Sequence, residues 1–420
     1  MKANYITTIG GIAEIYDGPH ATPKKLEQGP YFLSISSLDK GRLELNKSAF
    51  LSEDDFKKWT KRVTPQEGDL LFSYETRLGE AALMPAGVRA CLGRRMGLLR
   101  LNKAKVTPEY ALYAYLSPAF QQTIKANTLT GATVDRIALN DLPNFPIRIP
   151  PIEEQKKVAK LLSGIDKKIE LNNHINAELE AMAKTLYDYW FVQFDFPDDS
   201  PQRKGKPYKS SGGKMVYNPI LKREIPEGWG VKKLSEIAMT GSGGTPLSSN
   251  PEFYENGTIP WINSGELNSQ FIVSTSNFIT ELGLEKSSAK LCPKNTILMA
   301  MYGATAGKVS FIDFPATTNQ AICTINPFDQ EMNVYLKFTL ERLYQYLINL
   351  SSGSARDNLS QDKIKSLDVV IPAPSALTQF HEFTKSKMEL ILTNLKENQE
   401  LTSLRDWLLP MLMNGQVTVK

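Results

Sequence analysis

Shifted by 222 residues, the second half of this chain lies on the first without a gap, which restricts it to folds built twice on one plan. Gly131 meets Gly353, Asp135 meets Asp357, and Ile149-Pro150 meets Ile371-Pro372. Further on, Ile169 meets Ile391, Asn172 meets Asn394, Asn176 meets Asn398, and Glu178, Leu179 and Leu186 meet Glu400, Leu401 and Leu408. Upstream, Tyr113 meets Tyr335 and Asn127 meets Asn349. Two unrelated helices can share a heptad bias; a single offset that also carries loop residues points to duplication.

The best-matched stretch in each half is a long helix. From Pro150 to about Val192 two prolines suit the entry, and the interior holds none. Apolar residues recur at heptad spacing, with Val158, Ile165, Leu179 and Leu186 in one register and Leu161, Ile175, Met182 and Tyr189 in the other. Leu162, Ile169 and Trp190 widen the stripe. About 40 residues at ~1.5 Å each make a rod of roughly 60 Å, whose apolar seam requires a partner. The second copy supplies one, with Phe380, Phe383, Leu390, Ile391, Leu401, Leu404 and Leu408 along its seam. Asn172 and Asn394 fall at matching seam positions, where a buried amide fixes register. The expected packing set is Leu161, Ile165, Asn172, Leu179, Leu186, Leu390, Asn394, Leu401 and Leu408, in antiparallel helices.

The fold class expected is α+β, with two mixed α/β domains in a pseudo-twofold repeat, separated by two long antiparallel coiled-coil-like helices. The first domain spans 1–149 and the first helix 150–193. A Pro/Gly/Lys-rich linker covers 194–225, in which seven basic residues face one acidic residue after Pro201. The second domain spans 226–371 and the distal helix 372–413. In the first domain, alternating runs at 31–35, 69–74 and 96–101 read as strands, and Thr107-Pro108-Glu109 caps a helix running through Phe120. The second domain repeats this layout rather than its letters. Gly243-Gly244-Thr245-Pro246 stands for Ala21-Thr22-Pro23, Trp261–Leu267 for Phe32–Leu38, and 296–303 for 69–76.

Composition narrows the function. Net charge is only +4, but residues 1–150 hold 20 Lys and Arg against 15 Asp and Glu, with clusters at Lys24-Lys25, Lys57-Lys58 and Arg94-Arg95. No apolar run approaches the ~18 residues of a membrane span, and the start lacks a signal-peptide core. Cys91, Cys292 and Cys323 have no paired spacing and fit a reducing cytoplasm without disulfide or zinc. His20, His174 and His381 are scattered and make no metal or catalytic set. The run Gly303-Ala304-Thr305-Ala306-Gly307-Lys308-Val309 is one residue short of a phosphate loop, and Val309 replaces the magnesium-holding hydroxyl. Asn326-Pro327-Phe328 lacks the second proline of an adenine methyltransferase motif. Gly241-Ser242-Gly243-Gly244 precedes a polar loop where a pyrophosphate-binding helix would be required. The chain reads as non-catalytic.

Three motifs stand out, Pro150-Pro151-Ile152-Glu153-Glu154-Gln155, Tyr187-Asp188-Tyr189-Trp190-Phe191 and Gly205-Lys206-Pro207-Tyr208-Lys209-Ser210-Ser211-Gly212-Gly213. In them the chain resembles the specificity subunits of type I restriction-modification systems. Ile225-Pro226-Glu227-Gly228-Trp229 and Gly303-Ala304-Thr305 with Gly307 extend it over the whole chain. It departs at the second helix entry, Pro372-Ala373-Pro374-Ser375-Ala376-Leu377, which lacks Glu-Glu-Gln. The resemblance implies a cytoplasmic, non-catalytic subunit that reads a bipartite double-stranded DNA target, one half per domain. It implies two methyltransferase subunits and two restriction motor-nuclease subunits docked through the helices. S-adenosylmethionine and magnesium-ATP would belong to those partners, with no cofactor on this chain. A lone methyltransferase or nuclease would need the absent motifs, whereas a protein-only adaptor would share the helices.

The principal candidate DNA-reading residues lie in the polar loop after the tyrosine-bearing strand of each domain, where glycine permits close approach and side chains offer donors and acceptors. They are Tyr74, Glu75, Thr76 and Arg77 in the first domain and Tyr302, Thr305 and Lys308 in the second. Ser34, Ser36, Asn263 and Ser264 at earlier strand ends, Thr22, Lys24 and Thr245 beside the Thr-Pro turns, and Arg94 and Arg95 complete the set. The alternative is that Tyr74 and Tyr302 only pack and the loops only turn the chain.

Overall fold

A computed structural model describes residues 5–19, 22–130, 134–302, 305–350 and 359–419, with side chains left out over 345–350. His20, Ala21, Gly131, Gly303, Ala304, Gly353, Asp357 and the Asn349 side chain lie outside the described residues. The chain divides into two compact units, one of Met1–Glu170 with Gln399–Lys420, the other of Leu171–Asn398. Each unit takes one globular block and half of each long helix.

The two blocks share their strand order. In the first, a four-stranded antiparallel sheet runs Ala13–Asp17, Met96–Leu101, Leu70–Ser73, Ala81–Leu83. In the second, the same order reads Ala238–Ser242, Ile322–Pro327, Ile297–Ala300, Val309–Ile312, and Phe271–Ile272 adds an edge. A smaller sheet centres on Leu26–Phe32, antiparallel to Ala49–Phe50 and parallel to Ala90–Cys91. Its counterpart centres on Ile259–Ile262, antiparallel to Phe278–Ile279 and parallel to Thr317–Thr318. At the base of each block a strand pair closes the chain before the long helix, Ile6–Thr8 with Pro146–Arg148 and Gly230–Lys233 with Asp368–Ile371. Leu70, Leu71, Phe72, Leu98 and Leu99 in one sheet, and Ile297, Leu298, Met299, Ile322 and Ile325 in the other, are almost wholly buried. That double-sided burial is why these strands read as continuous apolar runs.

Inside the sheets the offset is not 222. Ala13 answers to Ala238, Met96 to Ile322 and Leu70 to Ile297, offsets of 225, 226 and 227, because loop lengths differ. One expected match fails for this reason. Tyr110 Oη donates to Arg148 O, and Tyr335 Oη donates to Val370 O, which does lie 222 residues after Arg148. Tyr335 therefore answers to Tyr110 rather than to Tyr113. The helix capped by Thr107 also stops at Leu116, where Ser117-Pro118 starts a second helix, Pro118–Ala126.

The long helices are Ile152–Tyr187, continued by a π-helical turn through Val192, and Pro374–Met413. They run antiparallel: in one unit Arg405 Nη1 meets Asp166 Oδ1 at 2.9 Å, and in the other Asn172 reaches Asn398 and Asn394 reaches Asn176. Burial gives the seam. On the first helix it follows Gln155, Val158, Leu162, Ile165, Ile169, Asn172, Asn176, Leu179, Ala183 and Leu186. On the second it follows Leu377, Phe380, Thr384, Ile391, Asn394, Asn398, Leu401, Arg405, Leu408 and Leu412. The offset of 222 pairs nine of the ten positions on each helix, while Ile165 answers to Lys387 and Leu412 to Trp190. Ile165, Asn172, Leu179, Leu186, Asn394, Leu401 and Leu408 thus take their expected places. The second expected register does not: Leu161, Met182 and Tyr189 are exposed, as are Phe383, Leu390 and Leu404. The true second column holds Gln155, Asn176, Ala183, Thr384, Asn398 and Arg405, whose polar or small letters hide it.

The helix entries differ for a local reason. Gln155 is fully buried, its Nε2 donating to Pro150 O and Lys105 O and its Oε1 accepting from Thr107 N. Its counterpart Leu377 fills the same seam position with a hydrocarbon.

Residues 194–225, expected as a linker, are folded. Two short antiparallel pairs form there, Pro197–Asp198 with Lys206–Pro207 and Met215–Asn218 with Arg223–Pro226. Phe196 stacks on Tyr208 and on Trp229 at centroid distances of 4.7 and 4.9 Å, with Phe194 and Ile225 buried alongside. Widely spaced aromatics build a small core that a count of Pro, Gly and Lys overlooks.

Neighbouring leucines separate the two registers. Leu162→Ala should destabilise the chain by about 2–5 kcal/mol in denaturant melts, as expected for a truncated buried leucine. Leu161→Ala should stay within about 0.5 kcal/mol. Equal effects of the two substitutions would refute this seam.

Candidate nucleic-acid interface

In each block the loops that follow the inner strands come together at one rim, and a glycine lets them do so. A Cβ on Gly18 would lie 2.2 Å from Gly93 O, and one on Gly243 would lie 2.0 Å from Thr318 O. The chain beside each Thr-Pro turn can therefore approach the loop before the last sheet strand only without a side chain.

In the first block, Ser34 opens a single 3-10 turn over Ile35–Ser37, and its hydroxyl lies 2.6 Å from that of Ser36. Arg77 spans from its own loop to this turn, donating to Ile35 O at 3.1 Å and pairing with Glu80 at 3.0 Å. Glu80 in turn accepts from Lys40 N. Arg77 is thus held as a brace between two loops, a correction to its expected reading role. Tyr74 is a second correction. It is buried against Phe72, and burial, with Asp17 and Glu75 nearby, pushes its phenol up to about 12. Glu75, Thr76 and Arg95 form a connected group, Arg95 bridging Glu75 Oε2 and Thr76 Oγ1 at 3.2 Å each. Thr76 adopts φ 69°, which turns the chain sharply at the exposed tip. Arg94, Thr22 and Lys24 are exposed, and no hydrogen bond or ion pair of Arg94 occurs among the described residues.

In the second block, Asn263 opens the matching turn over Ser264–Glu266 and accepts from Asn319 Nδ2 at 3.4 Å. Thr305 is buried and donates to Ser264 O at 2.8 Å. Ser264 takes the place of Ile35, so Thr305 braces the same two loops that Arg77 braces in the first block. It too is a positioning residue, which corrects its expected role. Thr245 Oγ1 donates to Gln320 Oε1, and Tyr302 Oη donates to Gln320 O at 2.9 Å. Lys308 Nζ is exposed and donates to Asn268 Oδ1 at 2.8 Å.

Five of the six expected residues of the second block are therefore joined, through two that the sequence did not single out, Asn319 and Gln320. The sheets show what signal marks these two. Tyr74 N donates to Arg95 O, and Met301 N to Ala321 O, which aligns Arg95 with Ala321 and Arg94 with Gln320. The strand offset of 226, rather than 222, puts Gln320 at the place of Arg94. One rim thus presents two arginines and a carboxylate, the other amides, hydroxyls and a lysine. Both are sets of donors and acceptors at exposed loop tips, suited to base edges and phosphates. Among the described residues no group of His, Cys, Asp or Glu could hold a metal ion, and no helix is long and apolar enough to cross a membrane.

A family model described as the type I restriction modification DNA specificity domain matches residues 4–181 and again 226–402. Similar proteins include the HindI specificity subunit of Haemophilus influenzae, 27% identical over 408 residues, covering 84% of this chain and 87% of that one. The MjaIX specificity subunit of Methanocaldococcus jannaschii is 28% identical over 410 residues, covering 96% and 88%. The crystal structure of a type I restriction-modification S subunit from M. genitalium superposes with a TM-score of 0.60 at 17% identity, covering 98% of this chain and 97% of the other.

The braces and the tips separate by stability. Arg77→Ala removes a charged double tie at a half-exposed site and should lower stability by about 1 kcal/mol. Arg94→Ala should leave the unfolding midpoint unchanged, because no fold contact is lost. A midpoint unaffected by Arg77→Ala would make that arginine a free side chain again.

Proposed function

Because this chain belongs to the type I restriction modification DNA specificity family, we propose that each of its blocks reads one half of a bipartite duplex DNA target. The observation that carries the reading is the pair of rims: one scaffold repeated in strand order and loop bracing, with different side chains at the matched tips. Arg94 against Gln320, and Glu75 against Tyr302, are the differences expected of two readers for two sequences. Arg94, Arg95, Glu75 and Thr76 would read or position one half-site. Gln320, Asn319, Asn263, Thr245 and Tyr302 would serve the other, with Lys308, Lys24, Thr22, Ser34, Ser36 and Ser264 at the flanks. Arginine pairs well with guanine and glutamine with adenine in the major groove. The helix pair would set the unread gap between the half-sites.

Catalysis and cofactors belong to partners in this reading. Two methyltransferase subunits would carry S-adenosylmethionine, and two motor-nuclease subunits would carry magnesium and ATP, all in the cytoplasm with the DNA. The exposed apolar column on the helices supports a docking face. Within one unit it shows Met182, Tyr189, Leu390 and Phe383, and within the other Leu161 and Leu404. These lie beside the seam rather than in it, so they are free to meet a partner's helices.

The test uses the complex of this chain with its methyltransferase partner and the methylated motif mapped by sequencing. Arg94→Ala and Gln320→Ala should each relax one base position, in opposite halves of the motif, at about 1–3 kcal/mol of discrimination. A uniform loss for all sequences with a flatter salt dependence would instead make the residue a phosphate contact. Replacing residues 1–149 by another such domain should change one half of the motif only; a change in both halves would refute independent readers.

Docking has its own test. Met182→Glu with Leu390→Glu should leave the unfolding midpoint near that of the parent, since both side chains are exposed, yet weaken methyltransferase association at least tenfold in a pull-down titration. Undiminished association would move the docking face elsewhere.

A further inference from the structure

The two places where a block meets the helices are lined differently, and each difference is matched by the block that sits there. Lys337 is 1% exposed, with its ammonium 3.3 Å from Glu180 on the first helix and 3.0 Å from Glu341 on its own. The helix offset matches Glu180 with Thr402, which carries no charge. The shared tyrosine anchor, Tyr110 with Tyr335, matches Lys337 with Leu112, also without charge. Asp313 is likewise buried, pairing with Lys294 of its own block and with Lys396 of the second helix. Strand pairing matches Asp313 with Pro85, and the helix offset matches Lys396 with His174. The first block shows the converse. Tyr113 Oη donates to Asp166 Oδ2 at 2.6 Å, and Asp166 is held by Arg405 at 2.9 Å. The counterparts of Tyr113, Asp166 and Arg405 are Phe338, Met388 and Ala183, all apolar.

We propose that these residues are keys that fit each block to its own seat on the helices, so that a block transplanted to the other seat is penalised through its buried charge. At each of these places the block's charged or hydroxyl group meets a complement on its own seat, and the matching place on the other seat carries no such complement. Hydrophobic packing separates the seats as well, since Tyr187, Phe191 and Phe380 line one where Leu409, Met413 and Val158 line the other. A block moved to the other seat would in addition lose its polar complement. Lys337 would face Thr402 in place of Glu180. Lys337 would then keep only Glu341 of its own helix, and a buried charge stripped of part of its pairing is destabilising, whereas a neutral pair in the same place is not. The inference concerns assembly of this chain alone and stands whether or not the blocks read DNA.

The experiment needs only thermal melts of full-length chains. A chain with residues 226–371 in place of 1–149 carries the second block in both seats. It should melt below the parent, and Thr402→Glu should raise it by several degrees. In the parent chain, Glu180→Thr should lower the midpoint by several degrees, and adding Lys337→Leu with Glu341→Leu, which removes the whole buried charge group, should restore it. That second arm decides the matter even if the duplicated chain fails to fold. The proposal is overturned if Glu180→Thr melts like the parent, if the paired leucine substitutions give no recovery, or if the duplicated chain reaches the parental midpoint without the helix substitution.

Discussion

Four buried asparagines hold the middle of the helix pair in one register. Asn172 Nδ2 donates to Asn398 Oδ1 at 2.9 Å, and Asn394 Nδ2 donates to Asn176 Oδ1 at 2.8 Å. The offset of 222 turns the first bond into the second, so the same amide contact is made in both directions across the helix pair. Asn398 also donates to Asn173, and Asn172 to Glu397. A slip by one heptad would keep leucine against leucine but leave these amides against hydrocarbon, each buried unpaired group at about 1–3 kcal/mol. The cluster is not free of cost: Asn172 Oδ1 and Asn176 Nδ2 are buried with no partner among the described residues. Stability is surrendered for a single alignment, as a polar seam position does in coiled coils.

Register matters because each block is fastened to particular residues of the helices. Tyr187 lies among Tyr335, Phe338, Phe191 and Phe380, and its hydroxyl meets Thr339. Gln155 ties the first helix to the loop at Lys105–Thr107, and Asp166 takes the Tyr113 hydroxyl. Shifting either helix along the other would pull such contacts out of place within each unit. The asparagines thus govern more than the seam.

The architecture is legible in the sequence and its details less so, for physical reasons that can be named. The duplication, the antiparallel helices and the strands at 70–73 and 96–101 follow from periodicity, which burial on one or two faces imposes. Half of the seam is hidden because heptad patterning favours leucine and methionine over the smaller and more polar residues. Leu161, Met182, Leu390 and Leu404 have the character of core, while Gln155, Thr384 and Arg405 have that of surface, yet only the latter have partners inside. The candidate rim is partly legible. Thr245, Asn263 and Ser264 follow from glycine-rich turns, but Arg77 and Thr305 are braces, and whether a polar side chain turns inward depends on tertiary contacts. Gln320 is hidden because insertions change the offset between sheet and helix.

The same division explains how one scaffold can present unlike surfaces. Arg77 and Thr305 have nothing in common as side chains, yet each donates to the backbone carbonyl at the same place in the turn, Ile35 or Ser264. A carbonyl accepts from any donor of the right reach, so the brace constrains position and leaves identity free. Glycine at 18 and 243 does the same by steric means, fixing how close the loops come while saying nothing about what they carry. With both constraints placed on backbone atoms, the tips are released from structural duty. Arg94 can be exchanged for Gln320 without touching a core contact, whereas Tyr302, at the place of Glu75, also packs against the second block's core. Divergence at positions like Arg94 is therefore inexpensive for the fold, which is the condition that lets a duplicated reader acquire a second target.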